Sequence, residues 1–455
     1  MLIALRLNFK TFLNSHIWFP LLAILLRLIP ITADFSYFIL AGYALLGRQQ
    51  IIEALFLSWL LSFINAEIAP YVEYASFGRY IIYLACFFSI LLRANFAKID
   101  ILTLLTVGLG IFFIIHAIYF SQIPKISILK GLSWVLIIMT LLLAWTGMNS
   151  SEHEHTKKWI TEFLFIIALL SLLLLLLVPG LGYIRSTTNF QGILNHPQVL
   201  GLTVAGLSAL LIGQLFSQNK SKLLLLIKIL ICISLIIFSG CRTAGLGLLF
   251  ATMISVLLFS ISRFNRIKSL TQPSINKSFI IIVFFLILLI FIFDTKIYDL
   301  IISYMTKAEQ VNIDNIATAY KNSREVLYKP MIANIIENPL IGIGFGLASD
   351  PQAMNIKYFH GIPISAPIEK GVLPLAILEE VGVYGFIFFM IWVLIIIRRA
   401  IADSFASLIV LLTFLLFNLG EAGLFSPNGL GMLYLIVMTS VITKSKLIKK
   451  TTITA

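Results

Sequence analysis

Charge is scarce in this chain. Only 12% of its 455 residues are Asp, Glu, Lys or Arg, roughly half the share of an ordinary soluble domain. That shortage excludes a water-soluble globule, whose outer face must meet water with polar groups. Cysteine is scarcer still, with Cys86, Cys232 and Cys241 in or beside apolar runs. No CxxC pair and no Cys/His cluster occurs, so neither a disulfide framework nor a metal site is expected, and no cofactor is implied. No internal repeat is evident, which removes support for an inverted-repeat transporter. The long apolar runs also lack polar alternation, which excludes a membrane β-barrel.

What is present is apolar. Hydrophobic residues make up 60% of the chain, and the mean hydropathy is +1.01. They gather in Leu- and Ile-rich runs of about 16–22 residues, the length that crosses a hydrocarbon core as a helix. The expected fold is therefore all-α, a polytopic transmembrane bundle of about 12–14 spans. Candidate spans are 17–32, 36–47, 50–66, 80–93, 101–120, 131–147, 159–178, 199–216, 222–239, 242–261, 278–294, 373–397, 404–421 and 428–443. Arg27 interrupts the first and the second is short, so that region holds either two spans or one tilted or re-entrant helix.

The net charge of +13 raises nucleic acid as a partner. The placement of the basic residues argues against it. Arg48, Arg93, Lys98, Lys157, Lys158, Arg398 and Arg399 fall in alternate short loops, as the positive-inside rule requires. Membrane lipids are the expected surroundings. Both termini are expected in the cytoplasm, and basic Met1–Lys10, which has no small-residue cleavage site, reads as a cytoplasmic tail. The chain divides into N-terminal spans over 1–178, a membrane core with external motifs over 179–294, a large external loop over 295–372, and C-terminal spans with a basic tail over 373–455. A loop as long as 295–372 is rarely a passive connector, and it contains an amphipathic helical run from Glu325 to Ile336.

Unusual polar groups collect at the external ends of these spans. Asn195-His196-Pro197 precedes a span and suits a helix start, with His196 as a hydrogen-bonding partner. Ser239-Gly240-Cys241-Arg242 lies between two spans, where an arginine either snorkels to headgroups or faces a polar cavity. A guanidinium fork matches phosphate oxygens in pairs, which makes Arg242 a candidate for binding a diphosphate. In the long loop, Arg324 and Glu325 open a helical stretch. Asn338-Pro339-Leu340 follows, with glycines at 342, 344 and 346 that allow close backbone approach. Then come His360, Glu369-Lys370-Gly371, and Glu379-Glu380 at the start of a span. At least one of those two glutamates should face a polar interior, because a carboxylate in lipid is costly.

The order of these motifs resembles the bacterial O-antigen ligase/polymerase superfamily. The likeness rests on Asn195-His196-Pro197, Ser239 to Arg242, Arg324 ahead of Asn338-Pro339-Leu340 and Gly342 to Gly346, and Glu380-Val381-Gly382. It covers roughly residues 180–385. Two positions depart from the family pattern. Asn189 stands where an arginine is common, with Arg185 nearby. Glu369-Lys370-Gly371 stands where many ligases have a histidine, and His360 lies about ten residues earlier.

The resemblance implies metal-independent glycosyl transfer outside the inner membrane of a bacterium. The donor would be a glycan on undecaprenyl diphosphate, held by Arg242, Arg324 and Arg185. The base would be His360 or Glu369, with Asn195, His196 and Glu380 in support. The acceptor would be a glycan, a lipid or a protein, which separates an exopolysaccharide or O-antigen polymerase from a ligase or an oligosaccharyltransferase. A transporter or flippase for a lipid-linked glycan is the alternative. It would call for ionisable residues or broken helices within the membrane, and His116 and Lys228 lie near span ends, where snorkelling suffices.

Overall fold

The computed structural model describes residues 15–72, 74–94, 100–183, 189–217, 222–264, 316–368 and 370–443. In chain order the helices are α1 (Ser15–Leu28), α2 (Phe35–Ala44), α3 (Arg48–Phe63), α4 (Ala75–Leu91), α5 (Ile101–Phe120), α6 (Pro124–Gly147) and α7 (Ser150–Leu177). A single turn, α8 (Pro179–Gly182), precedes α9 (Pro197–Ser217), α10 (Lys222–Ser239), α11 (Arg242–Phe264) and α12 (Ile316–Glu337). A small antiparallel hairpin of β1 (Lys357–Phe359) and β2 (Ile362–Ser365) follows. The chain closes with α13 (Leu373–Asp403), α14 (Phe405–Phe417) and α15 (Gly431–Ile442).

Seven of the described helices, α5, α6, α7, α9, α10, α11 and α13, are long and apolar enough to cross a membrane. Shorter apolar helices complete the bundle, and the chain is an all-α, multi-pass membrane protein. Helix starts follow local chemistry. Proline opens α6, α9 and α13, where its missing N–H costs nothing. Asn149 and Glu152 form a reciprocal capping box at α7, with both bonds at 2.9 Å.

Every proposed span except 278–294, which lies outside the described residues, falls on a helix. The weak first region holds two helices joined by a turn, not one tilted helix. Arg27 does not sit in lipid. Its Nε donates to Leu61 O at 3.2 Å and its Nη1 to Pro70 O at 2.6 Å, so it caps the end of α3.

The helices run back and forth between two ends. At one end, loops from all over the chain bond to one another. Asn65 N donates to Ile193 O, Asn195 N to Phe63 O, Phe190 N to Phe238 O and Gln122 N to Ile343 O. This loop-rich end carries the motifs. At the other end, Arg399 pairs with Asp100, Arg48 reaches Arg93 O, and Gln49 Nε2 donates to Glu152 O at 3.1 Å. The core between is close-packed and largely Leu, Ile, Phe and Trp, with Trp134 and Trp145 fully buried.

Candidate functional site

The glycine-rich segment 338–347 lies against α13 at a break in that helix. Gly382 has φ 62° and ψ −169°, a region open to glycine almost alone. In an unbroken helix the N–H groups of Val383 and Tyr384 would reach back to the carbonyls of Glu379 and Glu380. Here those carbonyls accept from Ile343 N at 2.9 Å and Gly344 N at 2.8 Å. The two freed N–H groups donate to Pro339 O at 2.9 Å and Leu340 O at 3.5 Å. Four backbone groups orphaned by the break are thus satisfied by one neighbouring strand of chain, as a buried segment demands. Contact this close leaves no room for a side chain. A Cβ on Gly342, where φ is 69°, would sit 2.5 Å from Glu379 O.

The break places two carboxylates side by side in the interior. Glu379 is fully buried and Glu380 is 4% exposed. Lys370, 5% exposed, lies between them, with Nζ 2.7 Å from Glu379 Oε2 and 3.0 Å from Glu380 Oε1. These are charge contacts, not aligned hydrogen bonds, at Lys370 Nζ and Glu379 Oε2. The remaining oxygens are bonded. Asn334 Nδ2 donates to Glu379 Oε1 at 2.7 Å, and Gly346 N donates to Glu380 Oε2 at 2.7 Å. Lys130 Nζ then donates to Gly346 O at 2.7 Å, so the Gly346 peptides are held from both sides. Two lysines face two carboxylates, and the cluster carries no net charge. Such a group persists in a dry interior only when each charge is compensated. A cavity of about 20 Å³ lies among Lys130, Lys370, Glu380 and Ser426, enough for one water with polar partners.

Two aromatic anchors hold this arrangement in the bundle. Phe345, from the glycine-rich segment, stacks on Phe113 with centroids 4.3 Å apart. Phe425 packs against Trp134 at 4.9 Å and Phe345 at 5.5 Å. Phe425 belongs to the connection between α14 and α15, residues 418–430, which joins the two groups of motifs. On one side Ala422 N donates to Lys370 O at 3.0 Å and Leu373 N to Asn418 O at 2.8 Å. On the other, Gln198 Nε2 donates to Glu421 Oε1 at 2.8 Å. Gly420 lies tight against Thr243, the second residue of α11.

The remaining predicted residues distribute around this frame. His196 Nδ1 accepts from Gln198 N at 3.2 Å and caps α9, and Asn195 presents a buried Oδ1 with no hydrogen-bond partner. Arg242 is half-buried at the first turn of α11, beyond a tight turn in which Ser239 Oγ accepts from Cys241 N at 3.2 Å. Glu380 is the buried ion-pair member described above. His360 is exposed at the hairpin tip. With φ 47° beside Gly361 at 79°, it forms a two-residue turn of the type that right-twisted hairpins favour. Its ring lies edge-on to Phe359, which stacks on Phe77 of α4. No hydrogen bond links His360 to Lys370, Glu379 or Glu380 among the described residues. Arg185, Glu369 and the Arg324 side chain lie outside the described residues, although Arg324 falls within α12.

Three participants went unnoticed in the sequence. They are Lys130, Asn334 and the 418–430 connection. The last had a readable signal, because Asn418, Gly420, Gly423, Pro427, Asn428 and Gly429 crowd a short gap between apolar runs. One expectation about snorkelling is corrected, because His116 is buried with Nε2 2.6 Å from Ile341 O. Lys228 pairs with the half-exposed Glu162 at 3.0 Å. A further buried acid was missed. Glu53 of α3 is fully buried against Tyr43 and against His16 Nδ1 at 2.7 Å. No protein-family profile matches the chain, and no curated protein is significantly similar to it.

Proposed function

We propose that the protein transfers a glycan from undecaprenyl diphosphate to an acceptor hydroxyl at the loop-rich end of the bundle. In this reading it is a metal-independent glycosyltransferase of a bacterial inner membrane. It acts in lipopolysaccharide or exopolysaccharide assembly, as a polymerase or O-antigen ligase. Both termini lie in the cytoplasm, and the loop-rich end, with residues 295–372, faces outward. One observation supports the reading most. The Asn195-His196 turn, the start of α11 at Arg242 and the Lys370–Glu379–Glu380 cluster are joined at one end by the 418–430 connection.

The chemistry divides between two kinds of charge. A diphosphate leaving group needs neutralisation more than it needs an acid. In the buried cluster the lysine is already held between two carboxylates, so it does not recruit an anion. It keeps the glycine-rich segment and α13 in place. Neutralisation falls to Arg242, with Arg324 and Arg185, whose planar donors match phosphate oxygens. The acceptor proton goes to His360, which is exposed and makes no hydrogen bond among the described residues, or else to Glu369. A neutral imidazole accepts a proton near pH 7 without special surroundings.

A transporter of lipid-linked glycan is the second reading, favoured by the broken α13 with buried ionisable residues beside the break. Against it, the break is closed by backbone bonds, and the cavity beside Glu380 measures about 20 Å³.

Reconstituted protein with a lipid-linked glycan donor separates the two. Arg242→Ala should lower transfer by about 10²-fold or more. Arg242→Lys should stay impaired, because a point charge does not reproduce the fork. His360→Asn, which suits the same turn, should cost about 10²–10⁴-fold as loss of a base. Full activity in His360→Asn moves the base to Glu369. Donor that crosses the membrane with no new glycosidic bond in wild-type protein would reject the enzyme in favour of the transporter.

A further inference from the structure

A large cavity lies at the end of the bundle away from the candidate site. It measures about 970 Å³ and is walled by α7, α9, α10, α14 and α15. Three lysines line it, and they are not equivalent. Lys228 is committed to Glu162 at 3.0 Å. Lys157 and Lys158 form no ion pair and no side-chain hydrogen bond among the described residues. Of the acids on the lining, Asp403 accepts from the hydroxyls of Ser404 at 3.2 Å and Ser407 at 2.5 Å, and Glu154 is exposed at the rim.

His153 borders the same space. It is 4% exposed and has a buried Nε2 with no hydrogen-bond partner. Its ring lies edge-on to Trp145 at 4.8 Å. The cavity is also amphipathic. Val410 lies on its wall, and Leu224 both lines it and is 55% exposed on the outer face of α10. An apolar path therefore runs from the cavity to the surface that meets lipid.

We propose that this cavity binds the phosphate head of an anionic membrane lipid. Lys157 and Lys158 neutralise the phosphate, and the acyl chains leave past Leu224. Basic pockets between membrane helices suit such headgroups. The leucine-lined exit favours a lipid over a soluble phosphate ester, which would leave that wall without a partner.

The test uses the purified full-length chain in detergent and native mass spectrometry. The probes are phosphatidylglycerol and phosphatidylcholine with identical acyl chains. One phosphatidylglycerol should be retained in preference to phosphatidylcholine. The double variant Lys157→Gln/Lys158→Gln should weaken it by roughly thirtyfold, the loss expected for two lysines near a lipid phosphate. Equal retention of the two lipids, or unchanged retention in the double variant, overturns the proposal. Displacement of phosphatidylglycerol by millimolar inorganic phosphate overturns the lipid assignment in favour of a free phosphate. Should the double variant not fold, Lys158→Cys alone reads the site, because Cys86, Cys232 and Cys241 are all buried. A maleimide should modify it more slowly with phosphatidylglycerol than with phosphatidylcholine, and equal rates reject the site.

Discussion

The two ends of the bundle handle buried polarity in opposite ways. At the loop-rich end, charge and backbone are closed on themselves. Lys370 meets two carboxylates, Gly346 is held from both sides, and the broken α13 is paired with 339–344. At the other end the ion pairs sit nearer the surface and the walls part around about 970 Å³. Glu162, in the Lys228 pair, is 50% exposed on its side chain, against 0% for Glu379. The contrast teaches that the same residue types, lysine and glutamate, do different jobs at different depths. Deep in the closed end they are structural partners that cannot be separated cheaply. Near the open end they are available to meet something else.

The sharpest way to break the closed end is at the helix discontinuity. Gly382→Ala forces a Cβ into a glycine-only backbone region and, on top of that strain, into the Leu340 backbone. We expect little folded protein to be recovered, as read by size-exclusion chromatography of detergent extracts. Gly108→Ala is the control, because a Cβ there meets nothing within 4 Å. Normal recovery of Gly382→Ala would show that α13 can run straight through.

Next in size is Lys370→Met. Removing one partner of a buried ion cluster costs about 3–5 kcal/mol, because it strands the charge left behind. The double change Lys370→Met/Glu379→Gln leaves Lys130 and Glu380 balanced and should recover part of that loss in thermal unfolding. A double variant no more stable than the single one would mean that charge balance is not what holds this end. The smallest effect is expected at the open end. Glu162→Gln should cost about 1 kcal/mol or less, as for exposed pairs. A loss as large as that of Lys370→Met would erase the distinction between the two ends.

Much of this architecture was legible in advance, and particular residues show why. The apolar run 222–239 coincides with α10, because length and hydrophobicity alone specify a helix that crosses lipid. Glycines 342, 344 and 346 correctly signalled close backbone approach. What they approach was hidden, because Glu380-Val381-Gly382 is legible as a motif but its sequence does not show that the helix breaks at Gly382. Lys130 was likewise invisible, since a lysine near the start of a span reads as a snorkelling anchor. Arg27 looked like a fault in a span and is a cap on another helix.

The sequence by itself determined that this is a helical membrane protein, where its apolar helices lie, and which polar residues are too costly to be idle in lipid. Those properties follow from local composition against a solvent of fixed thickness. Only the tertiary structure decided which costly residues meet. Lys130, Asn334, Lys370, Glu379 and Glu380 come from four separate stretches of the chain. Their compensation depends on distances of about 3 Å, set by how helices pack and where one of them breaks. A one-dimensional pattern of hydrophobicity carries no record of those distances.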